Sequence, residues 1–125
     1  MEVVIKKEFT DKQLIGFLEE IFNNPYGAGY WCRLIVINSR YKYSNERYTE
    51  ALVNGGEWII DEFDNIDEQG NSPIHTVNRA TIQRGLAGLA EHYPHIFNNF
   101  VTENYDGGDS DNMLQMGVFG KLVYG

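Results

Sequence analysis

Thr10 to Asn38 reads TDKQLIGFLEEIFNNPYGAGYWCRLIVIN, and a change of hydrophobic period inside it decides the fold class. In the first half Leu14, Ile15, Phe17, Leu18, Ile21 and Phe22 recur at helical spacing, which predicts an amphipathic helix over Asp11 to Asn23. Thr10 and Gln13 have capping-box spacing, in which each side chain satisfies a backbone N–H of the other residue. Asn24, Pro25, Gly27 and Gly29 stop the helix. Tyr30 to Asn38 is then dense in Trp, Leu, Ile and Val, the composition of a strand.

On the N-terminal side, Glu2 to Phe9 alternates as a short strand. On the C-terminal side, Ser44 to Asn54 reads as a short helix closed by Gly55 and Gly56, and Glu57 to Phe63 as a second strong strand. Asp64 to Pro73 is a polar hairpin loop, from which Ile74 to Val77 returns as a third strand. Ile82, Leu86, Leu89 and Ala90 mark a helix over Asn78 to His92 that Pro94 ends, and a short helix over His95 to Thr102 follows. Tyr105 to Asp109 is a glycine–aspartate loop. Asp109 or Ser110 is placed to cap a last helix that runs into Tyr124 and Gly125. The order predicts an α+β fold: a small three-stranded antiparallel sheet with about four helices packed on it. At 125 residues the chain is sized for a single domain, 1–125.

The composition is 42% hydrophobic and 22% charged, with a net charge of −8. No apolar run approaches the roughly 18 residues of a membrane span. The N-terminus lacks the apolar h-region of a secretory signal, so the expectation is a soluble, intracellular chain without a membrane partner. The acidic balance argues against direct binding of a nucleic-acid backbone. The one cysteine, Cys32, excludes an internal disulfide and a cysteine-only zinc site.

Catalytic and metal patterns are broken wherever they begin. His92 and His95 have Pro94 between them and no third ligand in reach of the sequence. Asp106, Asp109 and Asp111 start a calcium-like loop, but counting from Asp109 puts Leu114 sixth and Gly120 twelfth, where glycine and glutamate are needed. Those acids read instead as helix N-terminal residues. Asn65, Asp67, Gln69 and Gly70 imitate the same loop without the first aspartate or the closing glutamate. Cys32 reads as inert packing, no serine sits in a nucleophile elbow, and no phosphate-cradling glycine loop is present. The expectation is therefore no metal, no cofactor and no enzyme.

Two stretches carry more. In Gly27 to Arg33, GAGYWCR, permissive glycines precede Tyr30 and Trp31, whose flat faces can stack a base while Arg33 holds a phosphate. The same residues also read as a turn entering a core strand, with Trp31 inward and Tyr30 outward. In Glu103 to Gly125, Gln115 lies four residues after Asp111 on one helical face, Asn104 and Asp106 can cap the helix, and Gly117 and Gly120 invite close packing.

These stretches resemble an uncharacterised family of small phage and prophage proteins. The resemblance rests on Gly27, Gly29, Tyr30 and Trp31, then Gly85, Leu86, Tyr93, Pro94, Glu103, Asn104 and Asp106. It closes on Asp111, Gln115, Phe119, Gly120, Tyr124 and Gly125, and departs from the family at Met113 and Lys121. It implies a phage-borne gene in a bacterial cytoplasm, and no reaction.

Small acidic phage proteins are often counter-defence factors; of three competing mechanisms, a small hydrolase or metal enzyme has no constellation of residues in this sequence, which leaves two. One is a non-enzymatic sponge for a nucleotide-derived immune signal, with Tyr30 or Trp31 stacking. It would use two arginines among Arg33, Arg40, Arg47, Arg79 and Arg84 for phosphates, Arg47 and Arg84 beside Arg33 being the choice here. A homo-oligomer would join arginines from two chains. The other is an acidic nucleic-acid mimic that inhibits a host defence nuclease or effector, presenting Asp61 to Glu68 and Asp106 to Asp111 on one face.

Overall fold

The computed structural model describes residues 8–41 and 44–125. Apart from Glu8 and Phe9, the strand expected over Glu2 to Phe9 lies outside the described residues. Phe9 sets its ring edge-on against Phe17 and Phe97, with centroids 5.1 and 5.9 Å apart. Helix α1 spans Asp11–Asn23, as its periodicity predicts, and buries Leu14, Phe17, Leu18 and Ile21. Its capping box forms: Gln13 N–H donates to Thr10 Oγ1 at 3.1 Å, and Thr10 N–H donates to Gln13 Oε1 at 2.9 Å.

Strands β1 (Arg33–Asn38), β2 (Glu57–Asp61) and β3 (Ile74–Asn78) form an antiparallel sheet in the order β1-β2-β3. The α+β expectation holds, with five α-helices among the described residues. The additional ones are α2 (Tyr48–Val53), α3 (Arg79–His92), α4 (Pro94–Val101) and α5 (Gly107–Phe119). Alternation along β2 turns Trp58 and Ile60 into the helical layer, where both are fully buried beside Val77 of β3. The edge strand β1 is left with Ile35, Val36 and Ile37 nearly half exposed.

The boundaries move where local hydrogen bonds compete with the expected element. β1 starts at Arg33 and not at Tyr30, because Ala28–Tyr30 form a single 3-10 turn. The N–H groups of Trp31 and Cys32 both donate to Ala28 O, at 3.1 and 3.2 Å, and are lost to the sheet. α2 starts at Tyr48 and not at Ser44: Ser44 Oγ accepts from Glu46 N–H at 3.0 Å, a side-chain turn that competes with helix. α5 starts earlier than expected. Asp106 is its N-cap, with Asp109 as reciprocal partner (Asp109 N–H to Asp106 Oδ1, 2.8 Å), so neither Asp109 nor Ser110 caps it. It also stops at Phe119 instead of continuing to Tyr124, because Gly120 takes the left-handed conformation, φ 72°.

Phe17, Leu18 and Ile21 of α1 pack with Trp31, Trp58, Leu89, Phe100, Met113 and Leu114 in the core. α3 and α5 approach backbone to backbone. A Cβ at Gly85 would overlap the Met113 carbonyl oxygen, and one at Gly117 the Thr81 carbonyl oxygen. Gly117 thus packs closely as expected. Gly120 does not: a Cβ there meets nothing, and its role is the turn.

Candidate functional site

Asp111, in the second turn of α5, is 4% exposed and accepts three hydrogen bonds. Trp31 Nε1 donates to Oδ1 at 2.7 Å, Gln115 Nε2 to the same oxygen at 3.0 Å, and the Tyr30 hydroxyl to Oδ2 at 2.7 Å. A buried carboxylate is tolerated when its lone pairs are filled in this way. Gln115 then holds the tail beyond α5: its Oε1 accepts from the N–H groups of Val123 and Tyr124, both at 2.8 Å. The Tyr124 ring lies parallel to Trp31, with centroids 5.1 Å apart and planes 10° apart. Its hydroxyl donates to Glu62, whose other oxygen meets His75 Nε2 at 2.8 Å.

These contacts set the ionisation of the cluster. Burial, then the hydrogen bond and charge of Asp111, pushes the Tyr30 phenol well above its ordinary value. Burial, then the hydrogen bond and charge of Glu62, does the same to Tyr124. Burial, followed by the charges of Asp111 and Glu62, raises the Cys32 thiol far from thiolate formation.

Of the five residues singled out for a ligand, Tyr30 and Trp31 share Asp111, while Arg33, Arg47 and Arg84 each have a partner elsewhere. Trp31 is fully buried, with one ring face covered by Tyr124 and Phe119 tilted against it, centroids 5.3 Å apart and planes 49° apart. Tyr30 is 46% exposed but hydrogen-bonded inward. Arg33 Nε and Nη2 both donate to Asp61 Oδ2, at 3.1 and 2.9 Å. Asp61 also accepts from Ser72; that bond foremost holds its carboxyl below the usual carboxylate range against the opposing effect of burial, with the hydrogen bond and charge of Arg33 adding to it. Arg47 pairs with Glu19 of α1, and Arg79 with Asp11 at 2.8 Å. Arg40 lies over the Tyr41 ring, 5.6 Å from its centroid. Arg84 differs: among the described residues its one hydrogen bond is a 3.5 Å contact to Thr81 Oγ1 within its own helix.

The acidic motifs are occupied by local structure. Asp106 caps α5, and Asp109 accepts from Asn99 Nδ2 at 3.1 Å and from Asp106 N–H at 3.2 Å. Burial foremost pushes the Asp109 carboxyl up. Asp67 Oδ1 accepts the N–H groups of Gln69 and Asn71, both at 2.9 Å, closing its loop on itself. Among the described residues no three His, Cys, Asp or Glu side chains are grouped to hold a metal ion. Among those residues, too, no helix is long and apolar enough to cross a membrane.

Arg84 faces a groove between α3, the end of α5 and the start of the tail. Arg84, Gly88 and His92 stand four residues apart on one face of α3, opposite Met116, Gly117 and Phe119, with Tyr93, Gly120 and Lys121 completing it. Its two lobes, of about 390 and 410 Å³, share His92, Met116 and Gly120 as a common wall. Arg84 and Lys121 have no carboxylate partner among the described residues, whereas Arg33, Arg47 and Arg79 are ion-paired. Glu91 Oε2 lies 3.7 Å from His92 Nε2. The groove was partly legible in sequence: the spacing of Arg84, Gly88 and His92 marks one helical stripe. Lys121 joins it only because Gly120 turns the chain back.

Compared with protein-family models, with curated proteins and with solved structures, the chain matches none of them.

Proposed function

We propose that the protein is a non-catalytic binding protein that sequesters a nucleotide-type, phosphate-bearing ligand in the groove between α3 and α5. The observation that carries this reading is the pairing pattern of its cations. In a chain of net charge −8, Arg84 and Lys121 have no carboxylate partner among the described residues and line the same groove. Its volume falls within the range of small-ligand sites, roughly 300–1,000 Å³. Arg84 offers a planar fork that matches a phosphate, Lys121 a mobile point charge, and Tyr93 an aromatic wall. A base stacked on an aromatic ring contributes roughly 1–3 kcal/mol, and charge-assisted phosphate contacts are stronger than neutral ones. The resemblance to small phage proteins supports a counter-defence role in a host bacterial cytoplasm, with a nucleotide-derived immune signal as the ligand.

Calorimetric titration of the wild type with ADP-ribose and cyclic mononucleotides tests the reading. Binding in the micromolar range that weakens at least about tenfold in Arg84→Ala supports it, a loss of about 1.4 kcal/mol. Wild-type protein that binds none of these ligands removes it.

A second reading, a protein-binding inhibitor of a host defence effector, draws support from the edge of the sheet. Ile35, Val36 and Ile37 are consecutive on β1 and each more than 40% exposed, on an edge strand of the kind that accepts another chain. The acidic-mimic form of this reading has less support. Of its acids, Asp61, Glu62, Asp109 and Asp111 are buried.

A further inference from the structure

We infer that the groove discriminates by the spacing of anionic groups, taking a ligand with two separated phosphates, such as a cyclic dinucleotide, in preference to a single nucleotide. This rests on the reading of the groove as a phosphate-ligand site. Its two lobes carry different cations: Arg84 lines one, Lys121 the other, and His92 belongs to the wall between them. Arg84 and His92 are eight residues apart on one face of α3, which is about 12 Å along the helix axis at 1.5 Å per residue. Gly88 presents no side chain, and Met116 fills the space a Cβ there would enter, its Cε lying 2.6 Å from that position. A compact anion bound by Arg84 therefore leaves Lys121 without a partner. A ligand with two separated phosphates satisfies both and covers Met116 and Gly120 with its middle.

The structure also accounts for why Lys121 stays at its lobe. Gly120 turns the chain, and Val123 and Tyr124 are anchored by their N–H groups to Gln115 Oε1. Lys121 thus sits on a tail held at both ends, which limits how far its ammonium can follow a single phosphate into the other lobe.

The test is a calorimetric series at one fixed ionic strength with AMP, ADP and cyclic di-AMP. Fixing the salt matters because screening alters every charge contact. The expected result is cyclic di-AMP bound at least about tenfold more tightly than AMP, with ADP close to AMP because its phosphates are adjacent. Arg84→Ala and Lys121→Ala should each bring cyclic di-AMP to within about threefold of AMP. Both residues are exposed, and unchanged thermal unfolding of the variants verifies that the fold survives. Equal affinity for AMP and cyclic di-AMP, or ADP matching cyclic di-AMP, overturns the spacing inference and leaves the phosphate-site reading in place. No binding of any of the three overturns the spacing inference, and the phosphate-site reading falls with it when ADP-ribose and the cyclic mononucleotides fail to bind as well.

Discussion

Trp31 Nε1 donates to Asp111 Oδ1 at 2.7 Å, a bond between residues 80 positions apart that ties the turn before β1 to the second turn of α5. Tyr30 and Gln115 complete the shell of the same carboxylate, so three donors depend on one side chain. Tyr124 then lies over Trp31 and bonds Glu62, extending the network to β3 through His75.

Replacing Asp111 is expected to be severe. Asp111→Ala strands Trp31 Nε1 in a buried setting and takes the acceptor of the Tyr30 hydroxyl, while Gln115 Nε2 keeps Tyr124 O at 3.3 Å; a buried group left unsatisfied costs about 1–3 kcal/mol. The expected loss is about 3 kcal/mol or more in urea unfolding. Asp111→Asn keeps an acceptor oxygen and should lose less. A loss below about 1 kcal/mol for Asp111→Ala would show that the network contributes little to stability.

Gln115→Ala removes the anchor of the tail. Val123 and Tyr124 lose their side-chain acceptor, and the ring that covers Trp31 is freed. Tryptophan emission should shift to the red and become more sensitive to acrylamide, with stability falling by about 1–3 kcal/mol. Trp58, whose Nε1 bonds Tyr48 O at 2.8 Å away from the tail, should contribute none of the change. Emission identical to wild type would count against the tail as the cover of Trp31.

Gly85→Ala and Gly117→Ala test the crossing of α3 and α5. Alanine ordinarily gains about 1 kcal/mol over glycine inside a helix. Here each new methyl meets a backbone carbonyl oxygen of the facing helix, which cannot rotate away. Both variants should therefore be destabilised by about 2 kcal/mol or more, as overpacking costs. Gly29→Ala is the control: a Cβ there meets nothing within 4 Å. Equal stability of the three variants would refute the backbone-to-backbone contact.

At high pH the protein should lose stability through its phenols. Tyr30, Tyr48, Tyr105 and Tyr124 hold their protons above the ordinary tyrosine value of 10.0, and burial is the largest cause for each. The unfolded chain releases these protons from about pH 10 upward while the folded chain retains them, so unfolding is increasingly favoured as pH rises. The stabilisation is complete below pH 10. Denaturant midpoints measured from pH 8 to 11 should fall across the upper part of that range. Tyr124→Phe should start less stable but decline less steeply, and a decline as steep as wild type's would argue against the Tyr124–Glu62 bond as a contributor. Cys32, raised by the same burial, should resist thiol reagents at pH 8 until the protein is unfolded.

Most of the secondary structure was readable along the chain because its causes are local. The period of Leu14 to Phe22, the Thr10–Gln13 box and Pro94 each act within a few residues, and α1 has the ends they predict. The boundary errors are local too. Ser44 Oγ on Glu46 N–H and the twin bonds to Ala28 O are short-range competitors that hydrophobic period does not register.

The sequence alone determined the helix and strand types, the antiparallel α+β class, and the i, i+4 pairing of Asp111 with Gln115. Tertiary structure decided what those residues meet. Trp31 reads in sequence as a core residue first and a ligand platform second, and the core reading was decided only when Tyr124, 93 positions later, lay over it and Asp111 took its N–H. It also decided which arginines are paired: Arg33, Arg47 and Arg79 found carboxylates on other elements, while Arg84 and Lys121 came to line adjoining lobes of one groove. Hydrophobic period and capping are properties of neighbours along the chain. Charge pairing and ring stacking depend on distances of a few ångström between residues that only the packing of α3, α5 and the tail brings together.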